Sequence, residues 1–405
     1  MTVRMTDIVD TAAMAKMIRD KYIMVRPNED NDHMAILCYS SKAQWNGVWT
    51  RETLTARGLI ATTDRAWPDK DHVNDMRKAL DSAIIMSRGM PKFFTLEQAN
   101  SEYGSVKLMD DDENIIVEDA PVIDEYAPAI ISDKLDGSLG VAYVADDGLI
   151  ALSSKGSFSV PECLTGTECL RKNHDGRGMA EEFNRGNDMT PLFEVIIRDS
   201  EMDELRRHVC SYDYTDPVFI GMIDNRTGRW EPAVKHMDYA RKYGLRTPWS
   251  ETGTLRTAME LPDLDDHEGV VVTISNDDGS QTMLKVKHPR FLTLQALKNR
   301  SHKREITKWM RSLTFNDLKG MDGPDDIPLD SIMGVDYTDI KWSGSNVVER
   351  AKDMIWRKYV SRLREGMAAL EPKPDGKAGL DSAVKGNRRW RKLLNELHYY
   401  APVRR

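Results

Sequence analysis

The pattern of hydrophobic residues changes once along this chain of 405 residues, close to Pro289. Before that point, short apolar runs alternate with Gly, Asp and Asn, which is typical of strands joined by turns. After it, apolar residues recur with the period of a helix over residues 292–313, 346–370 and 387–398. The sequence therefore predicts an α+β domain of mostly antiparallel sheets over residues 1–294 and an all-α domain over residues 295–405.

Two hairpins are predicted inside the first domain. The apolar runs Leu139–Val144 and Leu149–Leu152 flank a short Asp-Gly turn. The runs Val270–Ile274 and Thr282–Lys287 flank a loop rich in Asn, Asp and Gly. Helices are expected over residues 178–185 and 235–243, the latter ended by Gly244.

Composition narrows the classes of function. The sequence has no apolar run long enough to cross a membrane and no signal peptide at its start, so we expect a cytoplasmic protein without a membrane partner. Its four cysteines form no C-x-x-C pair, which argues against a zinc site or a disulfide framework. The net charge is −8, yet residues 301–405 hold 21 basic and 15 acidic residues, a net of +6. A polyanionic partner is therefore expected to bind residues 301–405.

The segment from Ser132 to Gly140 is the most informative one, and it reads Ser-Asp-Lys-Leu-Asp-Gly-Ser-Leu-Gly. A lysine is a nucleophile only when neutral, and because its ordinary pKa is about 10.4 it needs cationic neighbours or burial. Here Asp136 is suited to orient the Lys134 amine or a metal ion, and Gly137 allows close approach of a nucleotide. The same Lys-x-Asp-Gly pattern at residues 373–376 lies between prolines and indicates a turn. The motif is therefore weak evidence when taken alone.

Further motifs follow Lys134 in a fixed order. They are Ser153-Ser154-Lys155-Gly156-Ser157, Phe193-Glu194-Val195, His267-Glu268-Gly269 and Lys285-Val286-Lys287. In this order they resemble the motifs of the covalent nucleotidyltransferases, which comprise polynucleotide ligases and mRNA capping enzymes. The upstream segments Ala56-Arg57-Gly58-Leu59-Ile60 and Pro91-Lys92-Phe93-Phe94 resemble those of the RNA ligase 1 family of T-even bacteriophages.

This resemblance implies a nucleotidyltransferase (adenylation) domain of antiparallel sheets flanked by helices, and an ATP-dependent RNA ligase activity. Lys134 would take AMP from ATP and pass it to RNA. Lys285 and Lys287 point to one face of a strand, so we expect them to hold the α-phosphate and to lower the pKa of Lys134. The residues expected to act in catalysis are Lys134, Glu268, Lys285 and Lys287. The other residues expected to bind the nucleotide are Arg57, Lys92, Phe94 (stacked on adenine), Asp136, Gly137, Lys155, Gly156, Glu194 and Gly269.

The expected cofactors are ATP and Mg²⁺, with Mn²⁺ as an alternative, and the metal ligands are expected among Asp136, Glu194 and Glu268. The expected partner is single-stranded RNA with 5′-phosphate and 3′-hydroxyl ends, bound by a monomer. The resemblance alone suggests cleaved tRNA as the natural substrate. The basic tail, with Trp309, Trp342, Trp356, Trp390 and the run Arg388–Lys392, is interpreted either as an RNA contact surface or as helix core.

Two alternatives stay open from the residues. The first is another enzyme of the same chemistry, a DNA ligase or a GTP-using capping enzyme. The absence of a strand-rich pattern after Lys287 argues against it. The second is a catalytically silent RNA-binding protein of the same fold, against which the intact set of Lys134, Glu268, Lys285 and Lys287 argues.

Overall fold

The structure, a computed structural model, describes residues 2–69, 72–95, 99, 107–109, 115–117, 123–184, 188–201, 208–262, 264, 266–276, 281–289, 291–292, 295, 303–333 and 347–368. The chain divides into two compact units. Unit 1 comprises Met1–Met202, Tyr212–Pro262 and His267–Lys287. Unit 2 comprises Asp203–Ser211, Asp263–Asp266 and His288–Arg405. The domain boundary at residue 295 stays a prediction.

Strands dominate unit 1, and the predicted α+β class with antiparallel sheets is confirmed. The described residues contain the strands β1 to β16, which are Ile23–Pro27, Met34–Tyr39, Arg57–Thr62, Ile84–Ser87, Phe94–Thr95, Lys107–Met109, Ile115–Val117, Pro128–Asp133, Ser138–Val144, Ile150–Ser153, Met189–Ile196, Asp216–Asp224, Trp230–Pro232, Ser250–Thr254, Gly269–Ser275 and Gln281–Lys287.

Three larger sheets organise these strands. The N-terminal sheet has the order β1-β2-β3-β4, the β9 sheet has the order β10-β9-β11-β12-β13, and the β8 sheet has the order β14-β8-β15-β16-β5. Strands β6 and β7 pair with each other. The short β5 joins β16 in parallel, whereas the other pairs in these sheets are antiparallel.

Both predicted hairpins are confirmed. Strands β9 and β10 pair with Val144 opposite Ile150, around the expected turn. Strands β15 and β16 pair with Gly269 opposite Lys287. The second register brings the motif that contains Glu268 to the same end of the hairpin as the motif of the two lysines.

Helices cover the sheets of unit 1 and make up most of residues 303–333 and 347–368 of unit 2. They are α1 to α13, with the bounds Thr11–Arg19, Ser41–Asn46, Arg51–Thr55, Val73–Ser82, Pro161–Asn173, Gly176–Asn184, Met237–Lys242, Leu255–Met259, Lys303–Ser312, Phe315–Gly320, Leu329–Met333, Val347–Ile355 and Ser361–Ala368. Short 3₁₀ turns occupy Met5–Asp7, Asp199–Glu201, Ala233–His236 and Pro324–Asp326, and a π-helical turn spans Trp356–Val360.

Apolar side chains fill both faces of the β9 sheet, because successive residues of a strand point to opposite sides. One face packs on the N-terminal sheet through a cluster that includes Ile36, Ile60 and Val141. The other packs on α5 and α6. Gly166 of α5 allows that approach, since a Cβ there would lie 2.9 Å from side-chain atoms of both Leu152 and Val195. Each fully buried aliphatic side chain contributes about 1.5–3 kcal/mol to folding.

The described residues 303–333 and 347–368 of unit 2 are mostly helical, as predicted. Its buried side chains include Ile306, Met310, Ile355 and Leu363, which recur at helical spacing. Trp309 and Trp356 are partly buried, and the guanidinium of Arg364 lies 5.5 Å from the Trp356 ring centre. The predicted helix over residues 387–398, the run Arg388–Lys392, Trp342 and Trp390 lie outside the described residues.

The four cysteines are free thiols; Cys38, Cys163 and Cys210 are buried, and Cys169 is partly buried. In the part of the chain that the structure describes, every helix is too short or too polar to cross a bilayer.

Candidate active site

The loop that carries Lys134 joins β8 to β9 and so connects two sheets of unit 1. The backbone amides of this loop lie outside the hydrogen-bond ladders of both sheets, so they need other acceptors. Three amides are held by acceptors. Lys134 N donates to Gly269 O at 2.9 Å, Asp136 N donates to Tyr212 Oη at 2.9 Å, and Gly137 N donates to Glu194 Oε1 at 3.1 Å. The Lys134 backbone is therefore anchored to the hairpin that also carries Glu268.

Glu268 is the central carboxylate of the site and is only 4% exposed. Its Oε2 accepts from Lys134 Nζ at 2.7 Å, and its Oε1 accepts from Lys287 Nζ at 2.9 Å. A buried carboxylate is tolerated only when it is paired and hydrogen-bonded, and two ammonium groups meet that need. Three of the four predicted catalytic residues are therefore in contact, because Lys134 and Lys287 both pair with Glu268.

The Lys134 amine has a higher pKa than the sequence predicted. Burial by itself lowers the pKa of Lys134, but the Glu268 carboxylate, together with Glu194 and Asp136, outweighs burial and raises that pKa above its usual range. The expectation that Lys285 and Lys287 hold Lys134 neutral is therefore wrong for the protein by itself. The physical reason is that Lys287 and Lys134 share the same counter-ion.

Lys285 is instead the lysine with a strongly lowered pKa. Burial, followed by repulsion from Lys92, Lys134 and Arg57, lowers the pKa of Lys285 to about 7. Its amine lies 4.9 Å from the centre of the Phe93 ring. Among the described residues, no carboxylate forms an ion pair with Lys285, and a lysine placed in this way among cations is suited to accept an anionic ligand.

A cavity of about 450 Å³ lies beside these groups, within the range of about 300–1,000 Å³ that small-molecule sites occupy. Its lining combines cations with apolar side chains from both five-stranded sheets. The lining residues are Arg57, Met90, Phe93, Ser132, Asp133, Lys134, Leu135, Gly137, Ser138, Leu139, Ser154, Lys155, Val160, Glu162, Glu194, Ile220, Trp230, Pro248, Val271, Thr273 and Lys285.

Glu194 is the carboxylate of this group on β11, and it faces the cavity. Burial, together with the nearby negative charge of Glu268, raises the pKa of Glu194 to about 7. The positive charge of Lys134 acts in the opposite direction but does not cancel this rise. Glu194 Oε1 accepts from the amide of Gly137. A carboxylate whose charge is this costly would gain from a bound cation.

Two glycines of the predicted set are required by close backbone contacts. A Cβ on Gly137 would lie 2.7 Å from Val195 O, so the loop passes directly against β11. Gly269 has φ +134, and a Cβ there would lie 2.1 Å from Val286 O. The glycine after Glu268 is therefore needed for strand pairing, whatever a ligand requires.

Of the two motif segments upstream of Lys134, residues 56–60 and 91–94, only some side chains line the cavity. Arg57 lines it and donates from Nη1 to Met90 O at 2.9 Å. The Lys92 amine lies 5.4 Å from the ring centre of Phe94, and burial, followed by Arg57 and Lys155, lowers its pKa to about 8. Phe94 packs against Trp49, with ring centres 5.6 Å apart, and is not a lining residue of the cavity. Phe93 is the aromatic residue of that unit in the cavity wall, so the predicted adenine-stacking role of Phe94 does not fit this geometry.

The Lys155–Gly156 turn lies at the edge of the cavity. Lys155 is an exposed lining residue whose amine is 5.5 Å from the Tyr39 ring centre. Gly156 is buried, and its carbonyl accepts from Arg26 Nη1 at 2.7 Å. The turn therefore presents a cation to the cavity and is itself fixed by a second cation.

The three carboxylates predicted as metal ligands do not form a ready metal cage. Among the described residues, no group of three or more His, Cys, Asp or Glu side chains is placed to hold a metal ion. Both oxygens of Glu268 are bound to lysines, whereas Glu194 faces the cavity with a raised pKa. A magnesium ion fits here as Mg²⁺ is usually bound, by one or two carboxylates together with phosphates and water.

Several cavity residues were not identified from the sequence. Trp230 is one, because it follows a turn and belongs to no motif. It is fixed by Gln281, whose side-chain oxygen accepts from Trp230 N and whose amide donates to Trp230 O, both at 2.9 Å. Ile220, Val271 and Thr273 are ordinary strand residues by sequence, and only the facing of the two sheets places them in the cavity.

Comparison with solved structures finds distant similarities to nucleic-acid ligases. One is described as an archaeal ATP-dependent RNA ligase, with 14% identity, a TM-score of 0.45 and coverage of 89% of this chain and 80% of that one. A putative ATP-dependent DNA ligase from Aquifex aeolicus has 12% identity, a TM-score of 0.45 and coverage of 97% and 79%. A mutant of the Naegleria gruberi RNA ligase with ATP and Mn has 14% identity, a TM-score of 0.32 and coverage of 42% and 51%. No protein-family model and no curated protein matches the sequence.

Proposed function

We propose that the protein is an ATP-dependent RNA ligase that carries AMP on Lys134. The observation that supports this most strongly is the Lys134 amine, held at 2.7 Å by Glu268 at the wall of a cavity whose lining also contains Arg57, Lys155 and Lys285. A nucleophile beside a cation-rich cavity of this size suits attack on a nucleoside triphosphate.

In the first step, Lys134 Nζ attacks the α-phosphorus of ATP. A nitrogen–phosphorus bond forms, the bond to the β-phosphate oxygen breaks, and pyrophosphate leaves. Lys134 must first lose a proton, and the Glu268 carboxylate at 2.7 Å is the acceptor at hand. Lys287 stays on the other oxygen of Glu268, so its charge favours return of that carboxylate to the ionised form.

Lys285 neutralises phosphate charge in this scheme. Its pKa of about 7 leaves the amine largely neutral at pH 8, and the phosphates of ATP would raise that pKa. Lys285 therefore takes up a proton as the nucleotide binds. Arg57 and Lys155, on other walls of the cavity, are placed for the outer phosphates.

A magnesium ion, when bound, would neutralise charge on the phosphates and on the pyrophosphate that leaves. The residue that fits it best is Glu194, because its raised pKa reflects a carboxylate without sufficient cationic charge nearby. Asp136 contributes to the field at Lys134 but is not a lining residue of the cavity. Manganese, which also prefers oxygen ligands, would serve as an alternative.

The remaining steps transfer AMP to RNA and then displace it. The 5′-phosphate of RNA attacks the phosphorus of lysine–AMP, which breaks the nitrogen–phosphorus bond and restores the amine. A 3′-hydroxyl then attacks the RNA 5′-phosphate and releases AMP. The choice of RNA over DNA rests on the resemblance of the segments around Arg57 and Lys92 to the T-even phage RNA ligase 1 family. By the same resemblance, the protein would repair cleaved tRNA, with unit 2 as the tRNA-contacting part. It would act as a monomer in the cytoplasm, which is that of the host cell if the protein is phage-encoded.

The test of the first step is the formation of a covalent adduct without any polynucleotide. Wild-type protein incubated with α-labelled ATP and Mg²⁺ should keep the label through denaturation, whereas Lys134→Ala should not. Lys172→Ala, which alters an exposed lysine of α5, is the matched control and should label normally. Labelling from GTP and not from ATP would favour the capping alternative, and the absence of any label would favour the silent RNA-binding protein.

The test of substrate class uses the same preparation with two polynucleotides. Single-stranded RNA with a 5′-phosphate should be circularised, and a nicked DNA duplex should be sealed far more slowly. Preference for the DNA nick would replace the RNA assignment with the DNA ligase alternative, while the lysine–AMP step would stand.

A further inference from the structure

Three residues accept hydrogen bonds from the backbone amides of the Lys134 loop, and Tyr212 is the one of them that belongs to no recognised motif. Of the three loop amides described above, two are held by Gly269 and Glu194, residues of the site itself. The third, the amide of Asp136, donates to the hydroxyl oxygen of Tyr212 at 2.9 Å. A long side chain from a separate segment thus fixes the loop two residues after the nucleophile.

Tyr212 is itself held by its surroundings. Its carbonyl accepts from Asp199 N at 3.1 Å, and its ring packs edge-on against Tyr214 with centres 5.8 Å apart. The Tyr214 ring in turn lies 4.7 Å from the guanidinium of Arg246. The Tyr212 hydroxyl is therefore presented from a packed support, as positioning of a reactive group requires.

We propose that Tyr212 is a positioning residue for the Lys134 nucleophile. By accepting the Asp136 amide it fixes the turn of the loop and so the direction in which the Lys134 side chain leaves the backbone. Tyr212 acts through the loop and contacts no substrate in this scheme. The catalytic part of the proposal rests on the adenylylation proposed above.

The consequence for the reaction falls on the rate and not on nucleotide binding. Attack on phosphorus depends steeply on the distance and alignment of the reacting atoms. The cations that line the cavity, Arg57 on β3 and Lys285 on β16, lie on strands that do not depend on this hydrogen bond. Loss of the Tyr212 hydroxyl should therefore leave the affinity for ATP nearly unchanged while the amine becomes less well aligned.

The experiment compares Tyr212→Phe with Tyr214→Phe, a control that removes a hydroxyl from the neighbouring ring. Hydrogen exchange is measured first on the peptide that spans residues 134–140. The Asp136 amide should exchange faster in Tyr212→Phe and at the wild-type rate in Tyr214→Phe. In single-turnover labelling, Tyr212→Phe should lower the rate constant at saturating ATP about tenfold, with the Kd for ATP within about twofold of wild type.

Unchanged exchange of the Asp136 amide in Tyr212→Phe would overturn the proposal. An equal loss of rate in both variants would also overturn it, because that result would indicate general packing of the two rings. If wild-type protein formed no adduct, the proposed function would fail, whereas the exchange experiment would still decide whether Tyr212 holds the loop.

Discussion

Replacing Glu268 by Gln removes the one negative charge that two buried ammonium groups share. Glu268 is 4% exposed, and the side chains of Lys134 and Lys287 are 19% and 14% exposed. Gln keeps the size of the side chain and one acceptor oxygen, but its amide donors would face one of the ammonium groups. Both lysines would then be partly buried cations without their counter-ion.

The expected cost follows from that burial. Removing one partner of a buried ion pair typically destabilises a protein by about 3–5 kcal/mol. Both lysine side chains keep part of their surface exposed, so we expect the lower end, about 3 kcal/mol, for Glu268→Gln. Lys287→Met should cost less, because Glu268 then keeps Lys134 as its partner.

Urea unfolding of the wild type and the variants measures these differences. Glu251→Gln is the matched control, since Glu251 is exposed on β14 and its change should stay within about 0.5 kcal/mol of wild type. The double variant Glu268→Gln/Lys287→Met should be about 1–3 kcal/mol more stable than the sum of the two single changes predicts. A Glu268→Gln protein as stable as the control would refute the shared counter-ion.

Four further results are expected. Glu194→Gln should be more stable than wild type at pH 8 and equally stable near pH 4, because the pKa of Glu194 is raised from 4.5 to about 7 on folding, so that wild type loses stability between these two values; urea unfolding at both pH values measures this. In calorimetry at pH 8 in two buffers of different ionisation enthalpy, ATP binding should show proton uptake that is absent in Lys285→Met, since the pKa of Lys285 is about 7 without the nucleotide. His174 has a raised pKa, chiefly because it bonds to Asp216, so its contribution is complete below about pH 6.5 and is lost as the pH rises through the raised value; relative to His174→Gln, wild type should lose stability over that interval in urea unfolding. Gly269→Ala should lose both stability and adduct formation, because its Cβ would overlap Val286 O, and normal labelling with a normal unfolding midpoint would contradict that contact.

Local pattern was sufficient where the hydrophobic period is clear, but length alone was not enough, since the 13-residue helix α5 was not predicted. The β9–β10 hairpin and the helices α9, α12 and α13 were predicted because alternation and the 3.6-residue period are strong there, whereas the short helices α10 and α11 were not predicted. The helices α2 and α3 were missed. They have six and five residues, and they are preceded by the capping residues Ser40 and Thr50, whose hydroxyls accept from backbone amides inside each helix. Helices of about one and a half turns carry too few apolar residues to show a period, so capping and burial decide them.

The sequence by itself determined the order of the site motifs along the chain. It also determined the nucleophile candidate and the hairpin that joins Glu268 to Lys287, because each of these depends on residues close together in the chain. Only the tertiary structure decided that Glu268 pairs with both Lys134 and Lys287, that Phe93 and not Phe94 reaches the cavity, and that Tyr212 holds the loop. These properties depend on which strands become neighbours across the sheets and on how much water each charge retains. Local sequence fixes neither property. A lysine has a raised pKa where a carboxylate lies beside it and a lowered pKa where it is buried among other cations, as Lys134 and Lys285 show.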